Sequence, residues 1–389
     1  MQWRIQQLQT TMAEKHLAAV ILRLPENVLL CSQYFPRNAF SFVFVPAKGM
    51  ACLIAPEGDE EDPGRGTLRD VRRFGWVRLG DGDPYVNVAR VLGELRAAHG
   101  ISDGAAVGLD ANSDVISPCL CFGEMLPPGR ATLDLVARVF KTNRIIEVMP
   151  DVRRLRAVKL EEEIESIRLA NEVAHLGVDL FADFAAAPGR SEVDIAAEVE
   201  ACIARKGPGY KGKVRFARAI AQVTSGQRTS AAWFAGMVST TRRTEPGELV
   251  MLEMGVTVDG YWADLTKTIA IGRPDDAQAK MLRTVDEAQE AALAAIRPGK
   301  TAGEVDATAR AVVSRAGMND AFCHALGHGV GFGYHDGDPV FVPGSTTVLA
   351  PGMVFSCEPG VYWAGKGGVR QEINVVVTSE GCSVLGKAD

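Results

Sequence analysis

Short apolar runs broken by Pro and Gly dominate the first part of the chain. "LAAVIL", "AFSFVFVP" and "MACLIAP" are compact and rich in β-branched or aromatic residues, the pattern of buried strands. "YVNVARVLGELRAAHG" follows a helical pattern ended by Gly100, and "AVGLD" predicts the next strand. Strands alternating with helices predict an α/β layer for this half. It contains no cluster of histidines, cysteines or carboxylates, so no chemistry is assigned to it. A basic stretch, "DVRRLRAVK", then leads into a long amphipathic helix. Ile164, Ile167, Val173, Val178 and Phe181 lie on its apolar face, and its acidic first turn suits the positive end of the helix dipole. The predicted division is a domain over residues 1–155 and a second over 156–389.

The second half echoes itself. "PGRSEVDIAAEVEACIARKG" begins at Pro188 and "PGKTAGEVDATARAVVSRAG" at Pro298. Each has Pro-Gly, a basic residue, a Ser or Thr suited to cap a helix, then Glu-Val-Asp opening an amphipathic helix that stops at Gly. The repeat points to duplication and to an internal pseudo-two-fold, with an active site between similar halves.

The chemistry-bearing residues are confined to this half. In "ELVMLEMGVTVDGYWADLTKTIAIG" two strand-like runs flank Asp259-Gly260, a strong hairpin signal. A two-residue turn sets Glu253 opposite Thr266 with Asp264 diagonal to it; a four-residue turn sets Glu253 directly opposite Asp264. Either register puts both carboxylates on one face. "FCHALGHGVGFGYHDGDP" holds His324, His328 and His335, three of the six histidines, among glycines that allow close backbone approach. In "PGMVFSCEPGVYWAGKGGVRQEINVVVT", Glu358 and Glu372 lie on two strand-like arms, and strand alternation puts Arg370 on the same face as Glu372. A carboxylate within an apolar strand is costly unless paired or metal-bound, so a shared ion accounts for both. Oxygen and nitrogen donors without thiolate suit Mn, Co, Fe or Zn. Two divalent ions sharing carboxylates would activate a water at neutral pH.

Composition narrows the setting. A chain 47% hydrophobic and 23% charged has the makeup of a soluble globular protein, and a net charge of −6 gives no general attraction for nucleic acid or anionic lipid. The expected partners therefore include no nucleic acid and no membrane. The eight cysteines form no CxxC pair and several sit in apolar runs, which predicts buried reduced thiols and a cytoplasmic protein. The N-terminus lacks a signal-peptide core, and no run is long and apolar enough to span a bilayer.

At these residues the chain resembles the pita-bread family of methionine aminopeptidases, Xaa-Pro aminopeptidases, prolidases and creatinases. "PENVLLCSQY" and "AVKLEEEIESIRLA" resemble the "NxxYLTG" segment and "VKSxxEIxxIRxA" linker helix of creatinase-type members. "GYWADLTKT", "HALGHGVGFGYHDGDP", "FSCEPGVY" and "VRQEINVVVT" each match a catalytic-domain motif, in order. The resemblance implies an α/β (α+β) chain: a pita-bread catalytic domain plus a smaller creatinase-type α/β N-terminal domain. It implies two divalent metal ions on Glu253, Asp264, His328, Glu358 and Glu372, with Asp264 and Glu372 bridging. Glu358 would also take a proton from the attacking water. His324 and His335 would contact the substrate and stabilise the tetrahedral intermediate, and Arg370 would orient the carboxylates beside it. A homodimer is implied as well.

Two positions depart from the family pattern. Glu253 stands where the peptidases carry an aspartate, and Trp233 stands where a histidine is expected. Trp233 either packs in the core or forms an aromatic wall for the substrate. The expected function is metal-dependent hydrolysis of a C–N bond in a small peptide or amide, of Xaa-Pro aminopeptidase or dipeptidase type. The alternatives are a metal-free amidohydrolase resembling creatinase or ectoine hydrolase, prompted by Glu253, and a non-catalytic binding module.

Overall fold

The computed structural model describes residues 2–36, 40–57, 67–76, 78, 80–111, 129–233 and 237–386. The chain separates into two compact units that meet in sequence between Arg156 and Ala157. Among the described residues the first unit contains α1 (Gln2–Glu14), β1 (Ala19–Leu22), α2 (Pro25–Ser32), β2 (Phe42–Pro46), β3 (Cys52–Pro56), β4 (Asp70–Phe74), α3 (Pro84–Ala98), β5 (Val107–Leu109), α4 (Arg130–Phe140) and β6 (Ile145–Glu147). A further helix, α5 (Met149–Ala157), ends at the boundary. The strands form one mixed sheet in the order β4-β3-β2-β1-β5-β6. β1, β2 and β3 are fully buried, as their unbroken apolar runs require. The family-like "PENVLLC" segment forms α2, with Pro25 in its first turn and Glu26 at the positive end of the dipole. The stretch "DVRRLRA", read from sequence only as a basic connection, is helical within α5.

The second unit opens with α6 (Glu161–Ala185) and α7 (Glu192–Lys206), followed by β7 (Ala217–Ser225), β8 (Leu249–Val258) and β9 (Tyr261–Ala270). After these come α8 (Asp276–Ala295), α9 (Ala302–Arg315), β10 (Gly327–Gly329), β11 (Gly337–Phe341), β12 (Val354–Cys357), β13 (Gly360–Trp363), β14 (Gly367–Arg370), β15 (Ile373–Val377) and β16 (Cys382–Val384). β7-β8-β9 make one antiparallel sheet, β11-β10-β12-β15-β16 another, and β13-β14 a separate pair. α6 and α7 bury Ala170, Val173, Phe181, Ile195 and Val199 against Leu252, Met254 and Leu265 of the first sheet. α8 and α9 bury Val285, Val305 and Val313 against Phe355, Val375 and Val377 of the second. Two helix-backed antiparallel sheets are what the expected pita-bread domain requires.

The sequence echo has a counterpart in the backbone bonds. Ser191 caps α7 by accepting from Asp194 N–H, and Thr301 caps α9 by accepting from Glu304 N–H. Both caps bridge a later extended segment, Ser191 to Arg243 and Thr301 to Val348. Gly189 and Gly299 donate to Thr244 and Leu349, while Thr244 and Leu349 donate back to Arg190 and Lys300. Further on, Gly247 donates to Ile271 and Gly352 to Val377, closing the ends of the β8–β9 and β12–β15 pairs in the same way. Through this correspondence Glu253 of β8 matches Glu358 beyond β12.

Candidate active site

The β8–β9 hairpin resolves the register. Asp259 and Gly260 both have positive φ, 50° and 92°, and close a two-residue turn. Glu253 therefore pairs with Thr266, and Asp264 pairs with Gly255. The glycine at 255 is required: a Cβ there would lie 2.7 Å from the Tyr334 ring. Asn374 of β15 accepts from Asp264 N–H and donates to Asp264 O, both at 2.9 Å. A side-chain amide thus ties the first sheet to the second behind the carboxylate.

The glutamates sit differently from the expectation of strand arms. β13 and β14 lie between them, and Glu358 and Glu372 occupy the breaks flanking that pair. Pro359 cannot donate to a ladder, Glu358 N–H donates to Leu326 O, and Glu372 N–H crosses to Thr266 O. Each glutamate stands where the chain leaves one sheet for another. Arg370 ends β14, so its shared direction with Glu372 does not come from alternation along one strand.

Three overlapping groups result: Glu253, Asp264 and Glu372; His328, Glu358 and Glu372; and Asp264, His328 and His335. Within each, one donor atom per residue lies within 4.8 Å of the others. Asp264 and Glu372 are only 1% and 4% exposed. His328 directs Nδ1 at Gly329 O (3.1 Å), which keeps its proton there. The Nε2 lone pair then faces Asp264 Oδ2 at 3.5 Å and Glu358 Oε1 at 3.4 Å. Asp264 Oδ1 and Glu372 Oε1 are buried and accept no hydrogen bond from the described residues. A lone pair among carboxylates, with orphaned buried oxygens beside it, is costly unless cations lie between them. The donor set fits divalent ions.

The charges respond accordingly. Burial, then Glu372, Glu253 and Glu358, push the Asp264 carboxyl well above its usual range. Burial, then Glu358 and Glu253, do the same to Glu372. Glu358 rises to about 7, chiefly through burial and against the pull of Arg370. Glu253 goes the other way. Burial works to raise it, but Arg370 and the Thr266 and Tyr334 hydroxyls hold it below the usual range. Burial lowers His324 to about 3, with Arg370 adding to it, and lowers His328 to about 3, with His335 adding to it.

Arg370 organises the opposite wall. Its guanidinium donates to Glu253, to Thr266 Oγ1 (2.9 Å), to Ala232 O (3.0 Å) and to the Tyr362 hydroxyl (3.0 Å). His324 Nδ1 donates to Ala325 O, leaving Nε2 to accept from Tyr362 at 3.0 Å. Glu253, Asp264, His324, His328, His335, Glu358 and Arg370 all line one cavity of about 190 Å³. Trp233 lines it too and is 51% exposed, so it is not a core residue.

Several residues of this site were not singled out in the sequence. Thr266 lies between Glu253 Oε2 and Glu372 Oε2, Tyr334 donates to Glu253 Oε1 at 2.7 Å, and Ser356 donates to Glu358 Oε1 at 3.0 Å. Thr266 was readable as the partner of Glu253 in the two-residue-turn register. Asn374, a polar residue in an apolar run, carried the same kind of signal.

The fold and the cavity define a pita-bread hydrolase. The sequence profile of metallopeptidase family M24 matches residues 165–379. A probable dipeptidase PepE from Mycobacterium bovis is 36% identical over 344 residues, 87% of this chain and 80% of that protein. An Xaa-Pro dipeptidase from Pyrococcus furiosus is 37% identical over 238 residues, 61% of this chain and 65% of that one. The crystal structure of a prolidase from Pyrococcus horikoshii superposes with a TM-score of 0.78 at 25% identity, covering 99% of this chain and 98% of the other. The chain belongs to metallopeptidase family M24.

Proposed function

We propose that the protein is a metal-dependent dipeptidase that cleaves small peptides of the Xaa-Pro type. The observation that carries this reading is the meeting of Asp264, Glu372, Glu358, Glu253 and His328, with orphaned oxygens on Asp264 and Glu372 and the His328 lone pair turned inward. These five residues would hold two divalent ions (Mn, Co, Fe or Zn). Bound ions would supply Lewis acidity and ease ionisation of a water among the carboxylates. Glu358, near-neutral in pKa, takes the proton from the attacking water and returns it to the leaving nitrogen. His324 and His335 contact the scissile group, Arg370 fixes Glu253 and the Tyr362–His324 pair, and Trp233 forms one wall of the substrate space.

The orphaned oxygens disfavour a metal-free amidohydrolase, and the complete donor set disfavours a binding module. We place the enzyme in the cytoplasm as a homodimer. Cys31 is buried, and Cys52, Cys202 and Cys357 are buried free thiols, which supports a reducing compartment; Cys323 is exposed, against expectation, and Cys119 and Cys121 lie outside the described residues. No helix among the described residues is long and apolar enough to cross a membrane. The homodimer rests on the family resemblance and is checked by light scattering. The functional test is metal content per protomer on protein purified without chelator, followed by a dipeptide panel with and without C-terminal proline. Two equivalents of metal and preference for Xaa-Pro are expected. Metal-independent turnover or indifference to proline would sink the reading.

A further inference from the structure

The segment between His328 and His335 brings the two imidazole rings to 4.3 Å, centre to centre. It is built from residues that resist being held. Gly329, Gly331 and Gly333 offer no side chain to anchor, and glycine loses the most backbone freedom on ordering. Two sets of contacts hold the segment. Backbone bonds run from Trp262 to Gly331 (2.8 Å), from Val330 to Val354 (3.2 Å) and from Asp336 to Gly329 (2.7 Å). The second set centres on the Asp336 side chain, which accepts from Phe332 N–H at 3.3 Å and from the Lys159 ammonium at 3.0 Å.

The Lys159 and Asp336 side chains are 0% and 1% exposed. Burying an ion pair is a poor route to stability, because desolvation often outweighs the attraction and an apolar pair serves as well. A specific geometry is the better reason for it here. Lys159 is itself fixed, its N–H donating to Gly352 O at 2.9 Å. Its stem packs on Gly331, where φ is +139° and a Cβ would lie 3.1 Å from Lys159 Cε. Gly329 O accepts both the Asp336 N–H and the His328 Nδ1 proton. The turn that Asp336 closes is therefore the turn that sets the His328 tautomer, aims its Nε2 at Asp264 and Glu358, and carries His335.

We propose that Lys159 and Asp336 are a positioning pair for the active site: the buried ammonium locks Asp336 into the turn, and the turn aims His328 and His335. The inference rests on the metal-dependent reading above, so its test reads the metal site as well as turnover. Lys159→Met, Asp336→Asn and the double variant are loaded with Co²⁺ and compared with the unaltered protein. The readouts are visible absorption, Co²⁺ affinity, thermal stability, and kcat and KM on Ala-Pro. Removing either partner should lower metal affinity or kcat about 10–100-fold, with an altered Co²⁺ spectrum and a smaller change in KM. The double variant, with no isolated charge, should regain stability without regaining the original spectrum or kcat. A folded double variant with unchanged spectrum, affinity and kcat overturns the proposal. If the unaltered protein binds Co²⁺ but cleaves no dipeptide, the functional reading fails while the spectra still decide the role of the pair.

Discussion

The two halves of the second unit place a glutamate at matching positions, and the two glutamates end in opposite electrostatic states. Glu253 is held by a guanidinium and two hydroxyls, with both oxygens engaged, and its pKa is depressed. Glu358 accepts from one serine hydroxyl, faces His328 and His324, and rises to about 7. Matching backbones thus supply two similar carboxylates, and their neighbours separate them into one of depressed and one of raised pKa, the split that the proposed roles of fixed charge and proton acceptor require. Finding carboxylates whose surroundings drive their pKa values apart is the usual way to tell such roles apart.

The largest expected effect follows from removing the proposed proton acceptor. Glu358→Gln should reduce kcat by about 10²–10⁴-fold, the range for loss of a general base, even in protein saturated with metal. Glu253→Gln should behave differently. It should weaken metal binding by about 10–100-fold, with much of the lost activity returning at saturating metal. Metal titrations of both variants, read by turnover and by bound-metal analysis, decide the matter. Equal rescue of the two would erase the division of roles.

The hairpin shows how much of this was legible in the sequence. Asp259-Gly260 announced the turn, and alternation put Glu253 and Asp264 on one face, so two of the five residues proposed to hold metal were placed by local rules. The Ser191 and Thr301 caps were equally readable, because capping is local. The positions of Glu358 and Glu372 were not. Their segments look like continuous strands, but Pro359 and the crossing bond from Glu372 to Thr266 break them, and that bond joins residues far apart in sequence. The opposite pKa shifts were hidden for the same reason. Arg370 reaches Glu253 across 117 positions, and no spacing rule predicts which carboxylate a buried arginine will choose.

Removing the metal should expose the strain among the raised carboxylates. A group whose folded pKa lies above its unfolded value stabilises the fold fully below the unfolded pKa and loses that contribution as pH rises through the folded one. Glu358 does so up to about 7, and Asp264 and Glu372 act in the same direction. His324 and His328, lowered to about 3, act oppositely, but only below the ordinary histidine range near 6.5. The clean window therefore opens near pH 6.5, where the histidines stop titrating, and runs upward through about 7, where Glu358 ionises, with Asp264 and Glu372 acting in the same direction. Chelated protein should lose stability as pH rises across it, and added divalent metal should flatten the slope. Thermal melts across the window check this; a chelated protein whose melting temperature holds or rises would contradict it.

The smallest effect tests the framework beneath the divergence. Ser191 and Thr301 each accept from the N–H three residues on, both at 3.2 Å, and each bridges its own following strand segment. α9 adds a reciprocal bond from Thr301 N–H to Glu304 at 2.8 Å, whereas the buried carboxylate near the start of α7, Glu192, is turned instead to Ser225 and Thr240. Substituting a capping Ser or Thr by Ala costs about 1 kcal/mol. Ser191→Ala and Thr301→Ala should therefore shift the urea midpoint of metal-saturated protein by similar small amounts, without changing kcat. Similar shifts would mean that the halves still share one scaffold and have diverged only around Glu253 and Glu358. A much larger loss for one would mean that the scaffold has diverged too, and the correspondence between the two glutamates would then need support beyond the backbone bonds.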